Sequence, residues 1–134
     1  MSESILVPID DSERSTEALE FALENDPDAR FVVIHVHEPV YGESLVGQDE
    51  EQADADALFE EARSIAEEYG VELETVTAEG KGTTSEAIVE YAENNPVEKI
   101  VMGSHGREGA SRVLLGSVAE NVTRQSPVPV TVVR

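Results

Sequence analysis

The chain has 134 residues, enough for one core and too few for two domains of ordinary size. Nine basic against 29 acidic side chains give a formal charge of -20 and a pI near 4.2, which argues against nucleic-acid and membrane partners, since both are polyanionic. The absence of cysteine excludes disulfides, thiolate zinc sites and cysteine nucleophiles.

In chain order, the opening MSESILVPIDDS has neither a basic segment nor a long apolar run, so a soluble, cytoplasmic protein is expected. Ile5 to Ile9 is a short apolar run ending at Asp10, and Phe31 to Val36 is a second, rich in β-branched residues; both predict buried strands. Between them Ala18, Leu19, Ala22 and Leu23 recur at helical spacing over Ser15 to Asn25, and Pro27 ends the pattern. A polar, glycine-containing loop is predicted over Tyr41 to Gln48. Leu58, Ala62, Ile65, Ala66 and Tyr69 then mark one face of a helix that stops at Gly70.

Val71 to Ala78 predicts a strand with polar residues on one face. Ala87, Ile88, Tyr91 and Ala92 give a further helix halted by Asn94, Asn95 and Pro96, and Lys99 to Gly103 gives the fourth strand. Ser117 with Glu120 three residues on is a capping-box pattern for the last helix. Val128 to Val133 is the last strand, and Pro129 within it cannot donate to a ladder, which places it at a sheet edge. Regular alternation of strand and helix predicts one α/β domain over 1–134, an open five-stranded parallel sheet with helices on both faces. Ligands of such sheets bind beyond the carboxyl ends of the strands where strand order reverses. The loops after strands one and four are therefore the candidates: Pro8, Ile9, Asp10, Asp11 and Ser12, and Gly103 to Gly116.

The second of these loops reads GSHGREGASRVLLGS and carries four of the nine glycines. Glycines admit a ligand close to backbone amides, and a helix amino terminus adds unpaired N–H groups and partial positive charge, which together suit phosphate. The same residues also describe a mobile surface loop with an ordinary cap at Ser117, and glycine content alone does not choose between the two. Gly80-Lys81-Gly82 with Ser85 mimics part of a dinucleotide fingerprint but lacks its third glycine, and reads as a turn; no GxxxxGK[ST] is present.

Gly103, two residues, Gly106, nine residues, then Gly116-Ser117 resembles the nucleotide motif of the universal stress protein family. VMGSHGREG followed by LLGSVAENVTRQSPVPVTVV resembles that family's carboxyl third, ILVPIDDS its first strand and loop, and VVIHVHEP its second strand. The resemblance implies strand order 3-2-1-4-5 and the ATP-binding branch of the family, with Mg or Mn accompanying the nucleotide. It implies that Asp10 receives the ribose hydroxyls, that Pro8 and Ile9 line the base pocket, and that the Val36 backbone meets adenine. Met102 and Gly103 would border ribose and phosphates. Gly106, Gly116, Ser117 and Val118 would supply donors to the triphosphate, with Ser104, His105, Arg107 and Gly109 in the same loop. The chain departs from the family pattern at Asp11, where glycine is common, and at GKGTTSEAI, where a proline is more usual.

Asp10 also suits the N-cap of the first helix. Arg107 and Arg112 suit phosphates or the surrounding carboxylates. His35 and His37 lie two apart on one strand, and even with His105 they make a weak metal set; no metal site is assigned. The function implied is an ATP-binding stress-response or signalling module. The alternative at the same site is slow ATP hydrolysis or self-phosphorylation on Ser111 or Ser117, with His105 the one plausible base in the loop and no catalytic residue identified. A flavin-binding relative is disfavoured by the lack of tryptophan. Val128, Val130 and Val132 project to one face of an edge strand, and unpaired apolar edges are normally covered. The resemblance supplies the partner, the same strand of a second copy paired antiparallel in a homodimer.

The carboxylates are spread along the chain, densest over residues 49–61 (DEEQADADALFEE), and lysine occurs only at 81 and 99. Recurrent apolar segments argue against a disordered acidic chain and for a solvated acidic shell around a core. Such a shell suits a salty, halophilic cytoplasm, where a Debye length of about 3 Å at 1 M mutes self-repulsion. The melting temperature is therefore expected to rise with potassium chloride concentration; a salt-independent melt would contradict a halophilic adaptation.

Overall fold

Short β-branched runs form the strands, and polar-faced segments between them form the helices. In the computed structural model, which describes residues 3–37, 46–79, 82–104 and 115–134, the order is β1 (Ser4–Pro8), α1 (Glu13–Asn25), β2 (Arg30–His37), α2 (Val46–Glu67), β3 (Leu73–Glu79), α3 (Thr84–Asn94), β4 (Lys99–Gly103), α4 (Ser117–Gln125) and β5 (Val130–Val133). The five strands form one sheet in the order β3-β2-β1-β4-β5, every pairing parallel. This is the expected α/β fold and strand order.

Alternation along the strands sorts the side chains into two layers. Ile5, Val7, Phe31, Val33 and Val101 face α1 and α2, which contribute Leu19, Leu23, Phe59 and Ala66. Leu6, Val32, Ile34, Ile100 and Met102 face α3 and α4, which contribute Ile88, Ala92, Ala119 and Val122. β1, at the centre, is dry on both faces: Ile5, Leu6 and Val7 are each 0% exposed. Burial of each such side chain is worth about 1.5–3 kcal/mol, which fixes register as well as stability, because a one-residue slip exchanges the layers.

Helix ends follow local chemistry, with some departures from the expected boundaries. Ser12, not Asp10, caps α1, its Oγ accepting from Ser15 N–H at 3.3 Å. Thr83 caps α3 in the same way through Glu86 N–H at 3.2 Å; Gly80 and Lys81 of the turn expected just before it lie outside the described residues. Ser117 is the first residue of α4 and not its cap; Gly116 occupies that position and has no side chain to offer, so the capping box does not form. The loop expected over Tyr41 to Gln48 is corrected at its end, because α2 already begins at Val46; Tyr41 to Leu45 lie outside the described residues. Acidic and amide side chains solvate well without breaking a helix, and Glu, Gln and Ala all favour one. α2 ends in a Schellman arrangement: Gly70 takes φ +70°, its N–H donates to Glu67 O at 3.0 Å and Val71 N–H donates to Ala66 O at 3.0 Å.

β5 is an edge strand, as Pro129 implied, but it starts at Val130, one residue past that proline. The carbonyls of Pro129 and Val133 accept from Ile100 N–H and Ser104 N–H at 2.9 and 2.8 Å. Backbone groups alternate along a strand, so those of Val130 and Val132 face the open edge. Val128 and Val130 pack against the α3–α4 layer, and Val133 against the α1–α2 layer. The apolar face expected from Val128, Val130 and Val132 is therefore partly consumed by the protein's own core.

Two glycines are required for different reasons. At Gly70 a Cβ would meet nothing within 4 Å, so only the positive φ matters; at Gly103 a Cβ would lie 2.9 Å from the backbone of Arg14. Gly70→Ala should cost about 1–2 kcal/mol, partly recovered by asparagine, which tolerates positive φ. Gly103→Ala should cost about 1–3 kcal/mol by forcing α1 away from β4, with no recovery by asparagine. Chemical denaturation of the four variants measures both, and recovery by asparagine at position 103 would contradict the packing explanation.

Candidate functional site

Strand order reverses at β1: the chain leaves β1 through α1 on one face of the sheet, and leaves the neighbouring β4 towards α4 on the other. The carboxyl ends of β1 and β4 therefore open a crevice that no crossover covers, the place where ligands of open α/β sheets bind. Beyond Pro8, Ile9 continues the ladder, its N–H donating to Ile34 O at 2.9 Å. His35 Nδ1 lies 3.2 Å from Ile9 O, a distance at which the Nδ1–H tautomer donates.

Asp10 is held through its backbone by Ser15 and through Oδ1 by Ser12. Ser15 Oγ accepts from Asp10 N–H at 3.2 Å and donates to Asp10 O at 2.9 Å, and Ser15 is only 6% exposed. Asp10 Oδ1 accepts from Ser12 N–H at 2.8 Å and from the Ser12 hydroxyl. The carboxylate thus orients the cap of α1 without being the cap. A carboxylate has about four lone-pair sites, so two donors leave it capacity for a ligand hydroxyl. Ser12 belongs to the loop that the sequence already marks as a candidate, whereas Ser15, which holds the Asp10 backbone, is a support that spacing alone does not reveal.

Across the crevice, Ser104 is buried and ties three segments together. Its N–H donates to Val133 O at 2.8 Å and its carbonyl accepts from Gly116 N–H at 2.7 Å. Its Oγ accepts from Arg14 Nη1 at 2.9 Å. Ser104 and Gly116, twelve positions apart in sequence, are thereby fixed side by side. Because the Gly116 amide is committed to Ser104, the donors left for an anion here are the first-turn N–H groups of α4, at Ser117 and Val118. Met102 is buried within the α3–α4 layer, so only its backbone reaches the crevice, and Val118 packs partly against the same layer. Val36 is half-buried at the end of β2, paired with Ala78. His105, Gly106, Arg107 and Gly109 lie outside the described residues, as do Ser111 and Arg112.

Beside Asp10, a cleft of about 150 Å³ runs between the start of α1 and the second half of α2. Ile9, Leu58 and Ile65 give it an apolar floor, and Asp10, Asp11 and Glu61 an acidic rim. Such a cleft accepts a neutral or apolar group and repels phosphate, whereas the α4 terminus across the crevice favours it. The site is electrostatically polarised along its length. Among the described residues no three His, Asp or Glu side chains gather to hold a metal. His35 and His37 lie by alternation on the α1–α2 face. No helix among the described residues is long and apolar enough to cross a membrane.

Known proteins share this architecture and sequence. The family model described as "Universal stress protein family" matches residues 1–134. A universal stress protein of Methanocaldococcus jannaschii is 35% identical over 97% of this chain and 81% of its own. Universal stress protein YxiE of Bacillus subtilis is 32% identical over the whole of both chains. The solved universal stress protein from Archaeoglobus fulgidus superposes with a TM-score of 0.81 at 25% identity, covering 100% of each chain. A universal stress protein solved in complex with cAMP superposes at 0.74, also at 25% identity, over 98% of this chain and 97% of that one. Sequence and fold agree along the full length, and the chain belongs to the universal stress protein family.

Proposed function

We propose that this chain is an ATP-binding stress-response module, a single nucleotide-binding domain in a cytoplasmic, salt-adapted protein, working as a homodimer. The observation that carries the reading is the polarity of the crevice: an oriented Asp10 carboxylate and apolar cleft at one end, and the α4 amino terminus beside the clamped Ser104–Gly116 pair at the other. Adenine nucleotides have the matching polarity, and a related protein of the same fold is solved with cAMP. In this reading Asp10 accepts from the ribose hydroxyls, Pro8, Ile9 and the Val36 backbone meet the base, and Met102 and Gly103 border the sugar. Ser104 to Gly109, Gly116, Ser117 and Val118 surround the phosphates. A divalent cation, Mg or Mn, offsets the charge of a triphosphate entering a chain of formal charge -20.

Calorimetry in molar potassium chloride with magnesium tests the site. Loss of charge-assisted hydrogen bonds to ribose should weaken ATP by about 1.5–3 kcal/mol in Asp10→Ala, and the parent should discriminate against 2′,3′-dideoxy-ATP to a similar degree. Gly116→Val should weaken ATP strongly, since valine tolerates the extended backbone there (φ -65°, ψ 160°) but its side chain obstructs the approach to α4. Equal affinity of the parent for ATP and the dideoxy analogue would remove Asp10 from the site.

The dimer would form by antiparallel pairing of β5 with its copy, through the outward backbone groups of Val130 and Val132. Val132→Pro deletes an outward N–H without touching the ladder to β4, so it should give folded monomers in light scattering. A charge at Val130 is a poorer probe, because that side chain also packs against the core. A parent protein monomeric at tens of micromolar would rule this interface out.

A further inference from the structure

We propose that Arg14 is a positioning residue for the phosphate end of the crevice, acting through Ser104; the assignment of that end rests on the nucleotide reading above. Arg14 stands in the first turn of α1, 90 residues away in sequence from the hydroxyl to which its Nη1 donates at 2.9 Å. Ser104 is 1% exposed, so water does not compete for this bond, and a hydrogen bond from a charged group in such surroundings is among the stronger ones. The contact is not incidental, because the Arg14 backbone is pressed so closely on β4 that a Cβ at Gly103 would lie 2.9 Å from it. Ser104 in turn holds Gly116 through its carbonyl at 2.7 Å and Val133 through its amide at 2.8 Å.

The consequence is a chain of contacts from the Asp10 side of the crevice to the amino terminus of α4. Arg14 follows Ser12, which orients Asp10, and Ser104 precedes the loop that Gly116 closes. With Ser104 fixed, the position of Gly116 is fixed, and with it the direction of the Ser117 and Val118 amides. The rigid, always-charged fork of arginine holds one geometry where lysine would hold several. It also brings a positive charge to the phosphate end of a chain with 29 acidic side chains. Neither the glycine spacing nor the family motif marks position 14.

Amide hydrogen exchange and nucleotide titration of the full chain in molar potassium chloride test this with Arg14→Met, Ser104→Ala, the double variant and Arg14→Lys. The Gly116 amide should exchange at least about tenfold faster in Arg14→Met than in the parent, without any nucleotide present, while amides of β1 stay protected. ATP affinity should fall about tenfold in each single variant, and adenosine affinity less than twofold. The double variant should be no worse than either single one, since both remove the same link; Arg14→Lys should recover only part of the ATP affinity. Unchanged Gly116 exchange, or losses that multiply in the double variant, would overturn the proposal. Equal losses for ATP and adenosine would overturn it too, by showing a general loosening of the fold. A parent that binds neither ligand would defeat the nucleotide reading instead, and the exchange measurement would still decide whether Arg14 holds the loop root.

Discussion

The close approach of α1 to the end of β4 is the constraint on which the site depends. A sheet whose order reverses at β1 leaves β1 and β4 side by side, with helices departing to opposite faces. The two loops can act together only if something fixes the distance between them. Here the absence of a side chain at Gly103 lets the Arg14 backbone settle on β4, and the Arg14 side chain then reaches buried Ser104. A methyl group at position 103 would separate not only a helix from a strand but the two halves of the crevice.

The same economy appears in how polar groups are used. Ser12, Ser15 and Ser104 are small residues, and each makes several hydrogen bonds that hold backbone in place. Buried hydroxyls and amides left unpaired would cost about 1–3 kcal/mol each, so these networks are stable only when complete. The carboxylates follow a different rule. Among the described residues most stand on the surface, where pairs such as Arg30–Glu74 and Arg124–Glu120 at 2.8 and 2.7 Å contribute little individually. The shell governs solubility and salt response, and the dry interior governs the fold.

The fold was legible in the sequence because a doubly covered parallel sheet leaves a strong trace: apolar strands such as Ile5 to Val7 and Phe31 to Ile34 are buried from both sides, and helical spacing intervenes. Boundaries were less legible. The start of α2 at Val46 is not legible because Gly47 and the polar residues after it resemble a loop in composition, and the apolar run places the start of β5 too early because Val128 packs in the core without joining the ladder. The candidate positions at Ser104 and Gly116 were visible through the glycine motif, and Asp10 through the apolar first strand that it ends. Their supports were not, since Arg14 and Ser15 meet Ser104 and Asp10 only after folding, and a serine that caps a helix looks in sequence like any other serine. The commitment of the Gly116 amide to Ser104 likewise depends on a hydrogen bond that spacing cannot show.

Backbone amide chemical shifts of the labelled protein, titrated with ATP and magnesium in molar potassium chloride, test the central claim most directly. The account predicts saturable shifts that gather at the carboxyl ends of β1 and β4 and the start of α4, at Asp10, Ser104, Ser117 and Val118, with the amino-terminal ends of the strands, Ser4 and Lys99 among them, unmoved. Saturating ATP that leaves these amides where they were, or that moves a different surface, would contradict a nucleotide site at the strand-order reversal.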